Sequence, residues 1–270
     1  MKIGIFYQCG YRFEACFFAL KQFRKFYPTA PIALYEDNTD ILQPIAKKFH
    51  CVYKKTDKNG YISRSSGRPA YNLDTTLSWL ARVYDSCCTT LKNTDWVVHF
   101  EDDVWFKNKL IDEPPYDLCG IRGIGAHIKF YEYFNAQHHA TYGCGGSVFN
   151  REKFILAYDK SKDIDWNFID NLATNNNEPN KNYPKPSMWT DSALTLIFLN
   201  AGFSVGPWNQ LAQYFNPEGW FTQDDRKNWI GDISQLEMNQ PQEVNILHCW
   251  KPYYYPTDEE KKQIELELKN

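Results

Sequence analysis

Short apolar runs and amphipathic stretches alternate along the first part of the chain, and their periods predict strands and helices in turn. Residues 2–8 form a compact apolar run of strand length, residues 14–26 repeat apolar positions at helical spacing, and residues 32–35 return to a short run that stops at Glu36-Asp37-Asn38. A helix over about 39–49 and a strand over 51–53 follow. Residues 54–69 then make a polar loop with Gly60, Arg64, Gly67 and Arg68. Asn72 or Asp74 is placed to cap a helix reaching about residue 91, with Leu77, Leu80, Ala81 and Tyr84 on its buried face. The next apolar run, residues 96–100, ends at Glu101-Asp102-Asp103, and a second apolar segment follows at once. Such alternation is the signature of βαβ units and a largely parallel sheet.

The second half is less regular. Strands are expected near 118–123, over the glycine-rich 142–149, over 203–205 and over 244–247. Helices are expected from Arg151, near 166–173, over 189–198 with Gly202 as a stop, and over the charged tail 257–270. Residues 175–187 are rich in Asn and Pro and read as a loop. No internal repeat is present, so the expected fold class is α/β: a single domain with a mostly parallel twisted sheet flanked by helices and a smaller mixed region.

Composition narrows the function. Of 270 residues, 43% are hydrophobic, enough for one large core, and the aromatic share of 17% leaves rings to spare for stacking on ligands. A net charge of −3 provides no basic field for nucleic acid. The eight cysteines contain no C-x-x-C pair, which argues for reduced thiols rather than zinc or a disulfide framework. No apolar run approaches ~20 residues and no leader precedes the first strand, so the expectation is a soluble, cytoplasmic chain without an integral membrane segment.

Candidate chemistry sits at the acidic triplet. An apolar strand that stops at carboxylates places them at the carboxyl edge of the sheet, where open α/β folds bind ligands. Clustered carboxylates repel one another unless a cation lies between them, and hard divalent ions take oxygen ligands, so Mg²⁺ or Mn²⁺ is implied. The ordinary alternative is a solvated acidic turn.

Taken in order, the early βαβ sheet, Glu101-Asp102-Asp103, Gly145-Gly146, Trp189-Thr190-Asp191 and His248-x-x-Lys251-Pro252 resemble nucleotide-sugar glycosyltransferases of the GT-A fold. The resemblance spans most of the chain. It implies a metal-dependent glycosyltransferase that uses Mn²⁺ or Mg²⁺ and a UDP-sugar donor to glycosylate a glycan hydroxyl. About 1–104 would be the nucleotide-binding half and about 105–270 the acceptor-binding half.

Under this resemblance Asp103 is the main metal ligand, Glu101 and Asp102 contact the metal, its water or the ribose, and His248 completes the shell. Lys251 and Arg64 would reach the diphosphate. Tyr7, Gln8 and Asp37 would form the uridine site, Tyr7 by stacking on the base, although Asp37-Asn38 also suits a plain helix cap. Gly145 and Gly146 would lie under the donor sugar, and Trp189, Trp220 and Trp229 are candidates for an acceptor platform. Asp191 is the candidate general base of an inverting displacement. Thr190 stands where the family more often has an acid, and retaining members place a related acid in this region, so both outcomes stay open with inversion expected. A sugar-phosphate nucleotidyltransferase fits less well, because Cys9-Gly10-Tyr11-Arg12-Phe13 is not a triphosphate-binding loop. A non-catalytic carbohydrate-binding protein is the other alternative.

Overall fold

The computed structural model of the chain describes residues 1–10, 12–37, 39–57, 73–102, 104–121, 142–169, 190–214, 244–249 and 257–269. Its strands are β1 (Ile3–Cys9), β2 (Ile32–Glu36), β3 (Val52–Lys55), β4 (Trp96–Phe100), β5 (Val104–Phe106), β6 (Leu118–Gly120), β7 (Val148–Asn150), β8 (Val205–Pro207), β9 (Leu211–Tyr214) and β10 (Ile246–Cys249). Its helices are α1 (Phe13–Phe26), α2 (Gln43–Lys48), α3 (Leu73–Cys88), α4 (Arg151–Lys160), α5 (Thr190–Asn200) and α6 (Asp258–Lys269).

Seven strands form one sheet in the order β3-β2-β1-β4-β7-β6-β8, in which only β7 runs against the others. A smaller mixed sheet, β5-β10-β9, lies beside it, with β10 antiparallel to β5 and parallel to β9. The α/β architecture expected from the sequence is therefore present. Strand alternation sorts the core into two layers. Ile5, Tyr7, Val98 and Phe100 point to the α1 side, where Phe17, Phe23, Phe106 and Ile246 pack. Phe6, Val97 and Phe149 point to the other side, against Trp79, Phe154 and Phe198 of α3, α4 and α5. Each of these fully buried large side chains stabilises the fold by roughly 1.5–3 kcal/mol relative to exposure, against the entropy of ordering it.

Two local readings are corrected and one strand is added. The helix expected over 39–49 is confined to Gln43–Lys48, because Pro44 sits in its first turn and the Glu36 carboxylate ties down the preceding loop. Glu36 accepts hydrogen bonds from Ile41 N at 2.8 Å, Leu42 N at 3.1 Å, the Tyr53 hydroxyl at 2.7 Å and the Thr39 hydroxyl. The strand expected over 142–149 shrinks to Val148–Asn150, since 144–147 make a turn closed by Ser147 N on Cys144 O at 2.9 Å, with Gly146 at φ +83°. Strand β9 was not expected: it carries no alternating pattern and gains its ladder from β10.

The helix expected from Arg151 forms there because Asn150 caps it, its side-chain oxygen accepting from Lys153 N at 3.0 Å. Asn150→Ala should cost about 1 kcal/mol. A urea midpoint lowered at constant m-value would report that loss; an unmoved midpoint would show the cap idle. Among the described residues no helix is long and apolar enough to cross a membrane.

Candidate active site at the carboxyl edge of the sheet

The acidic triplet is the corner between the two sheets. β4 ends at Phe100 in the large sheet and β5 begins at Val104 in the small one, so Glu101 and Asp102 occupy the bend at the carboxyl edge. Sheet register then recruits residues remote in sequence. β10 pairs with β5 so that His248 lies opposite Val104, which brings its ring to the bend. Gly146 N donates to His99 O at 2.8 Å and His99 N to Ser147 O at 2.9 Å, which lays the glycine turn alongside the end of β4.

These three arrivals meet at Glu101. Its Oε1 is 3.6 Å from His99 Nε2 and its Oε2 is 3.6 Å from His248 Nε2, both histidines being buried and Glu101 partly open to solvent. A Cβ on Gly145 would stand 2.9 Å from Glu101 Oε2 and 3.0 Å from His248 Nε2, so the bare glycine lets this turn approach the pair without displacing the Glu101 carboxylate. Gly143 performs the matching service for α5: a Cβ there would sit 2.3 Å from Asp191 O. Asp191, second residue of α5, thereby comes to the same place. Ligand atoms of His99, Glu101 and Asp191 all lie within 4.8 Å of one another.

Asp102 has a cationic partner. Its carboxylate pairs with Arg12 Nε at 3.1 Å, immediately before α1, in a partly buried ion pair that fastens the bend to the first helix.

A second polar cluster closes the ends of β1 and β2. The Gln8 side-chain amide donates to Asp37 Oδ1 at 2.8 Å and Gln8 Oε1 accepts from Arg82 Nε at 3.0 Å, while Arg82 Nη1 donates to Ser78 Oγ at 2.7 Å. Burial lowers the Arg82 pKa from its ordinary value, and the Asp37 carboxylate opposes that shift. Asp37 and Gln8 are both buried, and Asp37 is not the cap of α2: Leu42 holds that position and Glu36 binds the loop before it.

Tyr7 is a correction. Its neighbour Gln8 faces the polar cluster, so alternation sends the Tyr7 ring to the α1 layer, fully buried and edge-on to Phe100 at 5.2 Å. Burial, with the Cys16 and Cys9 thiols beside it, raises its pKa well above the ordinary phenol value. A ring so enclosed offers no face to a nucleobase. Asp103, Arg64 and Lys251 lie outside the described residues, as do Arg68, Trp189, Trp220 and Trp229.

Sequence reading passed over His99, Arg82 and Arg12. A signal existed for His99: it stands two residues before Glu101, the spacing that puts two strand side chains on one face. Nothing comparable marks Arg82 or Arg12, whose roles depend on which strand ends they meet.

Neither a protein-family model nor a curated protein sequence matches the chain. Among solved structures, the galactosyltransferase LgtC in complex with donor and acceptor sugar analogs is similar at 12% identity, over 98% of this chain and 95% of that one, with a TM-score of 0.49. An active-site mutant of LgtC is similar at 12% identity, over 97% and 94% of the two chains, with a TM-score of 0.48.

Proposed function

We propose that this protein is a divalent-metal-dependent glycosyltransferase that moves a hexose or pentose from a UDP-sugar to a hydroxyl of a glycan. The observation that carries this reading is the meeting of Glu101, Gly145 and His248 at one sheet edge. Those residues come from three of the motifs on which the resemblance to GT-A glycosyltransferases rests. Two buried imidazoles facing a carboxylate, with a second carboxylate near, form a donor set suited to a divalent ion. In the reading, Glu101, Asp103 and His248 hold that ion, which when bound neutralises charge on the departing diphosphate.

The chain's own residues do the rest. Gln8 and Asp37, buried together at the ends of β1 and β2 with Arg82 fixing the Gln8 amide, would back the uracil or ribose pocket as its polar end wall. Lys251 and Arg64 add positive charge towards the phosphates. Asp102, held by Arg12, fixes the bend on which Glu101 stands. Gly145 and Gly146 leave room for the donor sugar beside it. In the transfer the bond from the anomeric carbon to the phosphate oxygen breaks, the bond to the acceptor oxygen forms, and the acceptor proton passes to a base.

Asp191 is that base in an inverting displacement. A base for inversion must approach from the face opposite the leaving group, yet Asp191 lies within 4.8 Å of Glu101 and His99, the residues to which this reading gives the cation. That placement favours a second reading, a retaining transfer on the same fold, in which the proton leaves with the phosphate. A panel of nucleotide sugars incubated with Mn²⁺ tests both. Slow release of UDP, abolished by chelator, is expected, and the anomeric configuration of the product by NMR separates the two courses. Pyrophosphate release from UTP and a sugar phosphate would instead identify a nucleotidyltransferase, and glycan binding without turnover a carbohydrate-binding protein.

A further inference from the structure

We infer that His99 is a nitrogen ligand of the divalent ion, shared with Glu101 and Asp191, and that this donor set selects a first-row transition ion over Mg²⁺. The inference rests on the proposed reading that the sheet edge holds a cation, and adds to it a ligand, a new part for Asp191 and a metal preference.

The tautomer of His99 comes first. Its Nδ1 lies 2.9 Å from the carbonyl oxygen of Gly143, which can only accept, so Nδ1 carries the proton and donates. In the neutral ring that leaves a lone pair on Nε2, the state a metal ligand requires, with the backbone contact that commonly orients such a ligand from behind. The ring cannot turn away: it is 3% exposed and packs on the fully buried Trp79 with centroids 4.9 Å apart.

Distance comes next. His99 Nε2 is 3.6 Å from Glu101 Oε1, longer than a hydrogen bond. Two donors each ~2.1 Å from one ion stand about 3.0–3.4 Å apart at right-angled to tetrahedral geometry. The observed gap exceeds that range by about 0.2–0.6 Å, a closure within reach of a side-chain adjustment at the partly exposed Glu101. Asp191 completes a three-donor set whose atoms are all within 4.8 Å. Its carboxylate arrives there because Gly143 lets the start of α5 approach and because Gly143 O holds His99, so one residue positions both ligands.

Chemistry sets the preference. Mg²⁺ prefers oxygen ligands and gives up water reluctantly, whereas imidazole nitrogen suits the later first-row ions, with affinity rising from Mn²⁺ through Co²⁺ and Ni²⁺ to copper and falling again at Zn²⁺. His248, on the other oxygen of Glu101, raises the nitrogen content around the same carboxylate.

The test is equilibrium dialysis of the 270-residue chain against Co²⁺ alone and Mg²⁺ alone. Wild type should hold Co²⁺ at least about tenfold more tightly than Mg²⁺. His99→Asn keeps an N–H near Gly143 O but has nothing at the Nε2 position, and should lose on the order of 100-fold in Co²⁺ affinity with little change for Mg²⁺. Asp191→Asn, at a partly exposed helix start, is the second variant should the buried substitution fail to fold, and should lose roughly tenfold. Co²⁺ affinity unchanged in either folded variant overturns the shared site while the proposed function stands on Glu101. Equal affinity of wild type for both ions overturns the selectivity. Failure of wild type to hold either ion overturns the cation reading itself.

Discussion

Glu101→Gln should abolish metal-dependent release of UDP, a loss of at least about 10³-fold, with the fold intact. Glu101 faces both buried imidazoles, one through each carboxylate oxygen, and lies in the His99–Glu101–Asp191 set. No other described side chain occupies all three relations. The amide keeps the size of the group, so the glycine turn around Gly145 still fits, and removes the negative charge that would draw a cation between the histidines. Because Glu101 sits on a partly exposed bend outside both strands, the circular dichroism spectrum and urea midpoint should stay near wild type. Calorimetry with Mn²⁺ should show binding reduced with turnover. A variant that retained both metal affinity and UDP release would remove Glu101 from the site, and with it the corner between the two sheets as the catalytic centre.

Gly143→Ala should damage stability and chemistry together. The added Cβ would stand 2.3 Å from Asp191 O, 3.0 Å from Asp191 C and 3.0 Å from Leu194 Cβ, and the first two are backbone atoms that no rotamer change can move. The start of α5 must back away. Overpacking of this kind costs typically 1–3 kcal/mol, which for a chain of this size lowers Tm by several degrees, on the order of 2–4 °C per kcal/mol. The displacement also separates Asp191 from His99 and disturbs the carbonyl that holds the His99 tautomer. Gly202→Ala is the internal control. Gly202 has φ +77° with nothing within 4 Å of an added Cβ, so its cost is the left-handed backbone alone, roughly 1–2 kcal/mol, and it should leave metal binding unchanged. Thermal unfolding and Mn²⁺ titration of the two variants side by side would decide the matter. If Gly143→Ala bound metal as wild type does, the close approach of α5 would be structural only.

Much of the fold was legible because periodicity is a local property. The run at Ile3–Cys9, the helix at Phe13–Phe26 and the strand at Trp96–Phe100 lie where the apolar spacing placed them, since each buries one face or both against the same core. Legibility failed where a distant partner intervened. Glu36 shortened the helix after it, a glycine turn replaced most of the expected strand at 142–149, and β9 exists only against β10.

The candidate site divides along the same line. Clustered acids after an apolar run mark a strand edge that holds charge, and that much is a matter of residue type and order. The enclosure of Tyr7, the hold of Arg12 on Asp102, the link of Arg82 to Gln8 and the meeting of His99 with Glu101 and Asp191 are matters of register. Tyr7 and Gln8 are adjacent in the chain and end on opposite faces, whereas His99 and His248 are far apart in the chain and flank one carboxylate.

By itself, then, the order of side chains determined that this protein builds a layered α/β sheet with an acidic edge. Only the pairing of β10 with β5 and of β7 with β4 decided which imidazoles and which helix face that edge. The physical reason is that hydrophobic period is written within each segment, while strand register is set by long-range hydrogen bonds and by glycines whose missing side chains matter only once two backbones meet.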